Sequence, residues 1–314
     1  MTLNRITTVF ALGIGLILSG PQQVRAATVT WEDALGQLDE SVLTNLDLSA
    51  LPSLTDLDPA QLQAVCRELQ KRFQGEYVLE LAPLRDVASA ALPLLDQHAE
   101  TQPYAAWLRT RLDYLAVADA LKIAIPPPNL ELPPPANPTP TAERRAWEKR
   151  LQMEDLPLSA SVYVAQLKPI FVAEGVPPEL VWLAEVESGF DTLARSPLGA
   201  MGLFQLMPDT ATSLGLKLSP WDQRRQPEKN GRAAAKFLKS LYDEFHDWRL
   251  TLAAYNAGEG TVYRLLMKYG AHTYDEIATH LPAETQMYVP KVEATIQRRE
   301  GLTLENLKLP KPDR

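Results

Sequence analysis

The chain carries a single cysteine in 314 residues, and that scarcity sets the first limits. No intramolecular disulfide is available, and a cysteine-rich structural zinc site is ruled out. Cys66 lies in the apolar run LQAVCREL, which predicts a buried, inert thiol. Histidine is scarce too: His98, His246, His272 and His280 show no metal-ligand spacing. Neither a metal nor any other cofactor is expected. Beyond residue 26 there is no P-loop, no dinucleotide-binding glycine fingerprint and no G-x-S-x-G turn. Positive charge is in short supply. The net charge is −8, and −10 once Arg5 and Arg25 are set aside with the leader described below. That balance speaks against nucleic acid as a partner, and no basic run suits an anionic lipid surface. Convincing strand alternation is missing as well, apart from room for a small hairpin between 191 and 206.

What is present divides the chain into parts. Residues 1–26 read as a secretory signal: Arg5 is the positive n-region, Ile6 to Leu18 the apolar stretch, and Val24-Arg25-Ala26 the cleavage site. The apolar stretch is short for a membrane span, and no cysteine follows it for a lipid anchor, so no stable anchor is expected after cleavage. The mature protein is expected in the periplasm or cell envelope. Residues 27–124 are predicted to form a helical N-terminal domain. Leu62, Val65, Cys66 and Leu69 share one stripe, and Trp107, Leu108, Arg111, Leu112 and Leu115 outline a second amphipathic helix. No catalytic motif falls here, which leaves packing or docking to an envelope protein partner as its role. Residues 125–140 hold eight prolines and read as a semi-rigid spacer of up to roughly 50 Å. The catalytic domain is predicted over 141–301, followed by a tail over 302–314. A chain starting near Thr141 is therefore expected to fold by itself.

The densest information lies between Pro177 and Pro208. Pro178 suits the first turn of a helix. Leu180, Leu183, Ala184 and Glu187 then fall on one helical face, so a carboxylate continues an apolar stripe. Gly189 is placed to cap the helix. Burial and the negative end of the helix dipole both disfavour the charged carboxylate, so Glu187 is expected to hold its proton near neutral pH, as a general acid must. Glu185 points to roughly the opposite face and is expected to be solvated.

The surrounding blocks carry a resemblance. Glu187-Ser188 ends the helix, Ser196 to Ala200 reads S-P-L-G-A, and Gly202 to Pro208 reads G-L-F-Q-L-M-P. Ala253 to Gly258 reads A-A-Y-N-A-G, and Leu281 to Lys291 reads L-P-A-E-T-Q-M-Y-V-P-K. These blocks, in this order between Glu187 and Lys291, resemble the soluble lytic transglycosylase (SLT) domain of the lysozyme superfamily, nearest its membrane-bound murein transglycosylase D branch. Gly189 and Phe204 are mild departures from its pattern.

The resemblance implies a mainly α fold, with a lysozyme-like helical catalytic domain beside the separate N-terminal region. It implies an enzyme acting on peptidoglycan glycan strands, a carbon–oxygen lyase working at chain ends or internally. Glu187 would protonate the oxygen between N-acetylmuramic acid and N-acetylglucosamine, then act as base while the C6 hydroxyl closes a 1,6-anhydro ring. Ser196 and Gln205 would bond the muramic sugar, and Met207 would line its subsite. Tyr255 and Asn256 would face Glu187, the Tyr255 hydroxyl orienting the acid or the acetamido group. Glu284 and Tyr288 would close the cleft. Ser188 is open between helix capping and the site. Two alternatives stand beside this reading: a hydrolase on the same fold, and a non-catalytic wall-binding scaffold.

Overall fold

A computed structural model describes residues 58–124, 136–152 and 154–310. The predicted leader and most of the proline-rich stretch lie outside the described residues. All described residues fall within one compact unit, Asp39–Arg314. The mainly α expectation holds: helices dominate, and among the described residues there is no β-strand. Two isolated antiparallel bridges, Arg195 to Met201 and Met201 to Leu206, stand where a hairpin was expected.

In chain order the α-helices are α1 (Pro59–Phe73), α2 (Arg85–Leu95), α3 (Gln102–Ala124), α4 (Pro140–Leu151) and α5 (Ala160–Ala173). There follow α6 (Leu183–Ser188), α7 (Pro208–Ser213), α8 (Pro227–Phe245), α9 (Trp248–Ala257), α10 (Glu259–Tyr269), α11 (Tyr274–Ile277) and α12 (Ala283–Glu300). Local chemistry fixes several of their ends. Asp58 and Gln61 form a reciprocal capping box at the start of α1. Asp247 accepts from the Leu250 N–H at the start of α9.

Two apolar cores form. One is built from α5 through α12 and includes Phe171, Leu183, Phe190, Phe204, Leu238, Leu252 and Tyr288. The other is built by α1 to α4, around edge-on contacts of Phe73 with Trp107 and of Tyr114 with Trp147. Helix α12 serves both. Its Tyr288, Val289 and Val292 face the first core, while Ala283, Met287 and Ala294 face the second. Helix α12 is buried from Ala283 to Ile296, and the charged residues within that stretch, Glu284, Lys291 and Glu293, each lie within 4 Å of an opposite charge.

Helix α4 follows the proline-rich stretch, yet its Trp147 and Leu151 pack in the core of α1 to α3. A chain cut at Thr141 thus leaves Trp147, Leu151 and Met287 without their cover. Each such side chain contributes about 1.5–3 kcal/mol when buried. Together they match a large share of a domain's net stability of about 5–15 kcal/mol. The 141–314 fragment is expected to melt far below the full chain or to precipitate. Equal melting temperatures in a side-by-side thermal scan would show that the two cores are independent.

Candidate active site

Leu183 to Ser188 folds as a short helix, preceded by a 3-10 turn over Pro178–Trp182. Gly189 ends it with φ 62°, a left-handed cap that costs glycine little. Glu187 sits in the last turn and is 8 % exposed. The Tyr288 hydroxyl, from α12, donates to its Oε1 at 2.6 Å. Burial pushes the Glu187 carboxyl up to about 7. The Tyr288 hydrogen bond and the positive charge of Arg111 oppose that rise, and Glu284 adds to it. The sequence reading is met in direction, with burial as the largest cause.

Tyr255 does not bond the acid directly. Its hydroxyl donates to the Phe204 carbonyl at 2.8 Å, and Tyr288 is the residue that bonds the acid. The physical reason is register: α12 runs beside α6, whereas Tyr255 at the end of α9 meets the loop after Met201. Asn256 accepts at Oδ1 from the Thr285 hydroxyl at 2.7 Å, which ties the end of α9 to the first turn of α12. Glu284 is buried in that same turn, ion-paired with Arg111 from α3 and receiving a 3.4 Å contact from Gln74 Nε2. Glu185 is also corrected. It forms a two-pronged pair with Arg299, at 2.6 and 3.0 Å, and its side chain is 12 % exposed rather than solvated.

The loop from Arg195 to Met207 is held from below. Arg224 Nη1 donates to the carbonyls of Gly199 and Leu206, at 2.7 and 2.8 Å. Asn230 accepts from the Phe204 N–H at 2.9 Å. Ser188 Oγ lies 2.8 Å from the Leu203 carbonyl and 3.1 Å from that of Ala184, so its hydroxyl joins α6 to this loop. Ser196 Oγ accepts from the Ala200 N–H at 3.0 Å. Gln205 has φ 44°, in the left-handed region that a residue with a Cβ seldom adopts. Its amide nitrogen donates to the carbonyls of Ala194 and Gly202, at 3.0 and 2.9 Å, which leaves its side-chain oxygen turned to accept. Met207 is 42 % exposed at the foot of α7. Sequence reading missed Arg111, Thr285, Arg224 and Asn230. Only Asn230 and Arg224, polar residues spaced near an apolar helix, left any signal, and it was faint. Among the described residues no group of histidine, cysteine and acidic side chains is arranged to hold a metal ion.

The Transglycosylase SLT domain family matches residues 172–277. That span contains every sequence block but the last; the block around Glu284 and Tyr288 lies beyond it. Residues 172–277 are thus similar to the SLT domain, as the motif blocks indicated. It is 34% identical over 165 residues to the membrane-bound lytic murein transglycosylase D of Escherichia coli K12, a match covering 51% of this chain and 36% of that protein. It is 37% identical over 122 residues to the soluble lytic murein transglycosylase of the same strain, covering 36% of this chain and 19% of that protein. The chain therefore matches about a third or less of these relatives' lengths. It also aligns over 80% of its length with the lytic transglycosylase Slt of Pseudomonas aeruginosa, at 18% identity, a TM-score of 0.43 and 45% of that chain.

Two expectations follow from this geometry. A Cβ on Gly202, where φ is 83°, would stand 2.1 Å from the Arg224 carbonyl oxygen and 2.8 Å from Asn230 Nδ2. Backbone cannot yield by that much, so Gly202→Ala is expected to destabilise by about 2 kcal/mol or more. Urea unfolding measures it, and a loss under about 0.5 kcal/mol would show that the loop is not held in this conformation.

The second concerns Glu187. An unfolded chain releases this proton near the ordinary 4.5, and the folded chain near 7. Folded protein therefore binds the extra proton between those values, and stability falls as pH rises through the window. Glu187→Gln removes the effect. It is expected to match wild type below about pH 4 and to exceed it by about 3 kcal/mol above about pH 8. A stability difference that does not change with pH would mean that Glu187 is not perturbed.

Proposed function

We propose that this protein is a lytic transglycosylase that cleaves peptidoglycan between N-acetylmuramic acid and N-acetylglucosamine without water, leaving 1,6-anhydro-N-acetylmuramic ends. The observation that carries this is the buried carboxyl of Glu187, pushed up to about 7 and held at one oxygen by Tyr288. A carboxyl in that state can donate a proton at neutral pH and take one back. The relatives are named lytic murein transglycosylases, which supports the same substrate and reaction class.

In this reading Glu187 protonates the glycosidic oxygen as the bond to C1 breaks. The acetamido oxygen of the muramic sugar stabilises the positive charge at C1. Glu187, now a carboxylate, removes the proton of the C6 hydroxyl, which bonds to C1 and closes the ring. The proton given and the proton taken balance, and no cofactor enters. The Gln205 oxygen accepts from the muramic sugar, with Ser196 beside it and Met207 along the subsite wall. Tyr288 fixes the acid's rotamer. Tyr255 and Asn256 act one step back, through Phe204 and Thr285. Residues 141–301 carry this chemistry, the described helices over 58–124 brace it, the 27–124 domain serves an envelope partner, and the protein works in the envelope after export.

Two measurements test the proposal. Glu187→Gln keeps the shape and is expected to lose activity on purified peptidoglycan by about 10³-fold or more, because one group serves as both acid and base. Intramolecular attack by the C6 hydroxyl gains an effective molarity worth up to about 7–11 kcal/mol, so ring closure is expected to outrun hydrolysis. Mass spectrometry of digests made in ¹⁸O-labelled water is expected to show anhydro ends, unlabelled and resistant to borohydride. Labelled, reducible ends as the main product would make the protein a hydrolase. Full activity in Glu187→Gln would remove the acid assignment altogether.

A further inference from the structure

The carboxylate of Glu284 belongs to the last sequence block, yet its partner comes from outside every block. Arg111 lies on α3, about 60 residues before the matched SLT span. The ion pair it makes with Glu284 is 12 % and 10 % exposed on its two sides. Helix α3 also packs directly against α6, the helix that ends in Glu187. Among the described residues the guanidinium has no other direct counter-charge. It lies 6.0 Å from the centre of the Trp107 ring and 5.9 Å from that of Tyr114, and its Nε–H is buried without a partner among the described residues. A cation packed between rings in a water-poor place projects its charge further than one at a surface.

We propose that Arg111 is a positioning residue of the active site: it fixes Glu284 in place, and the pair together sets the electrostatic field in which Glu187 gains and loses its proton. The inference deepens the reading of Glu187 as acid and base and rests on it. It also gives the N-terminal helices a stated part in the chemistry. The charges of the pair act on Glu187 in opposite senses, Arg111 favouring its ionised form and Glu284 opposing it. The other groups facing Glu187 are known. From α12 come Tyr288, which bonds it, and the buried Lys291, which also favours ionisation. From α3 comes Tyr114, and from α9 Tyr255, both buried phenols held above their ordinary range chiefly by burial. Lys291 is 3.9 Å from Asp113 and stands over the rings of Tyr114 and Trp147, so it stays in place when Arg111 or Glu284 is altered. Gln74 touches Glu284 but carries no charge.

The pair makes a signature that a packing role cannot imitate, because its two members must displace the titration of Glu187 in opposite directions. Arg111→Met removes the positive member and is expected to move the alkaline limb of activity on purified peptidoglycan up by about one pH unit. Glu284→Gln, isosteric and without charge, is expected to move the limb down by a similar amount. Arg111→Lys keeps the charge and is expected to leave the limb near its wild-type position. Should Arg111→Met fail to fold, Glu284→Gln and Arg111→Lys decide the matter between them. Lower rates at every pH with an unmoved limb, or limbs displaced in the same direction, would overturn the proposal. The same shifts are also readable without catalysis, as the pH window over which each chain and its Glu187→Gln counterpart differ in thermal stability. If Glu187→Gln is found active, the enzymatic reading fails, while that stability window still tests the pair.

Discussion

One hydrogen bond organises this molecule: the Tyr288 hydroxyl donating to Glu187. A carboxyl taken out of water without a partner carries a penalty of several kcal/mol when charged. With one neutral donor it is stable as the acid and can still ionise. For that single bond to exist, the last turn of α6 must lie against α12 at the level of Tyr288, with Gly189 turning the chain away at once. The loop from Arg195 to Met207 must then cover the acid's flank, and it does so because Arg224 and Asn230 occupy its carbonyl and N–H groups from the core side. Ser188, next to the acid, joins the same loop. The acid and its cover are built from adjacent residues of one short segment.

Helix α12 is the reason the two cores cannot be treated as strangers. It presents Tyr288 and Val292 to one and Met287 and Ala294 to the other. Its polar residues follow the same division. Glu284 meets Arg111 of α3, Glu293 meets Arg144 of α4 and Arg249 of α9, and Thr285 meets Asn256. A helix so enclosed has little freedom to shift, and Tyr288 inherits that rigidity. The cost is visible at Glu143, in the first turn of α4: it is 1 % exposed, one of its oxygens has no partner among the described residues, and burial holds its carboxyl well above the ordinary range. A neutral acid at that position is tolerated where a charged one would not be.

Much of the site was legible because its chemistry is local. Glu187, its glycine cap and the loop that follows lie within some twenty residues, and the apolar stripe alone says that the carboxylate turns inward. Tyr288 was legible as a member of the site but not as the donor to the acid, since the register between α6 and α12 is a tertiary fact. Glu185 looked solvated because helical spacing places it off the apolar face; Arg299, 114 positions later, covers that side. Arg111 was unreadable for a similar reason. A cation on an amphipathic helix belongs in water unless a distant carboxylate meets it, and sequence spacing does not show that meeting. Trp147 looked like part of the catalytic half because it follows the proline-rich stretch. Chain order is a weak guide where one helix can be shared between two cores.

The second buried carboxylate bears directly on the choice between water and an internal hydroxyl as the nucleophile. An inverting hydrolase needs a second carboxylate free to activate water, and a retaining one needs a second carboxylate free to attack carbon. Glu284 is the acidic residue that the last motif brings to the site, and neither of its oxygens is at liberty: one is paired with Arg111 and the other is met by Gln74. Those contacts hold it in place, where its charge acts on Glu187. Of the phenols about the acid, Tyr288 donates to it and Tyr255 donates to the Phe204 carbonyl. Of these two carboxyls Glu187 is the one that is not ion-paired, and that difference is what supports the proposed reading in which one acid serves both steps on a substrate carrying its own nucleophile.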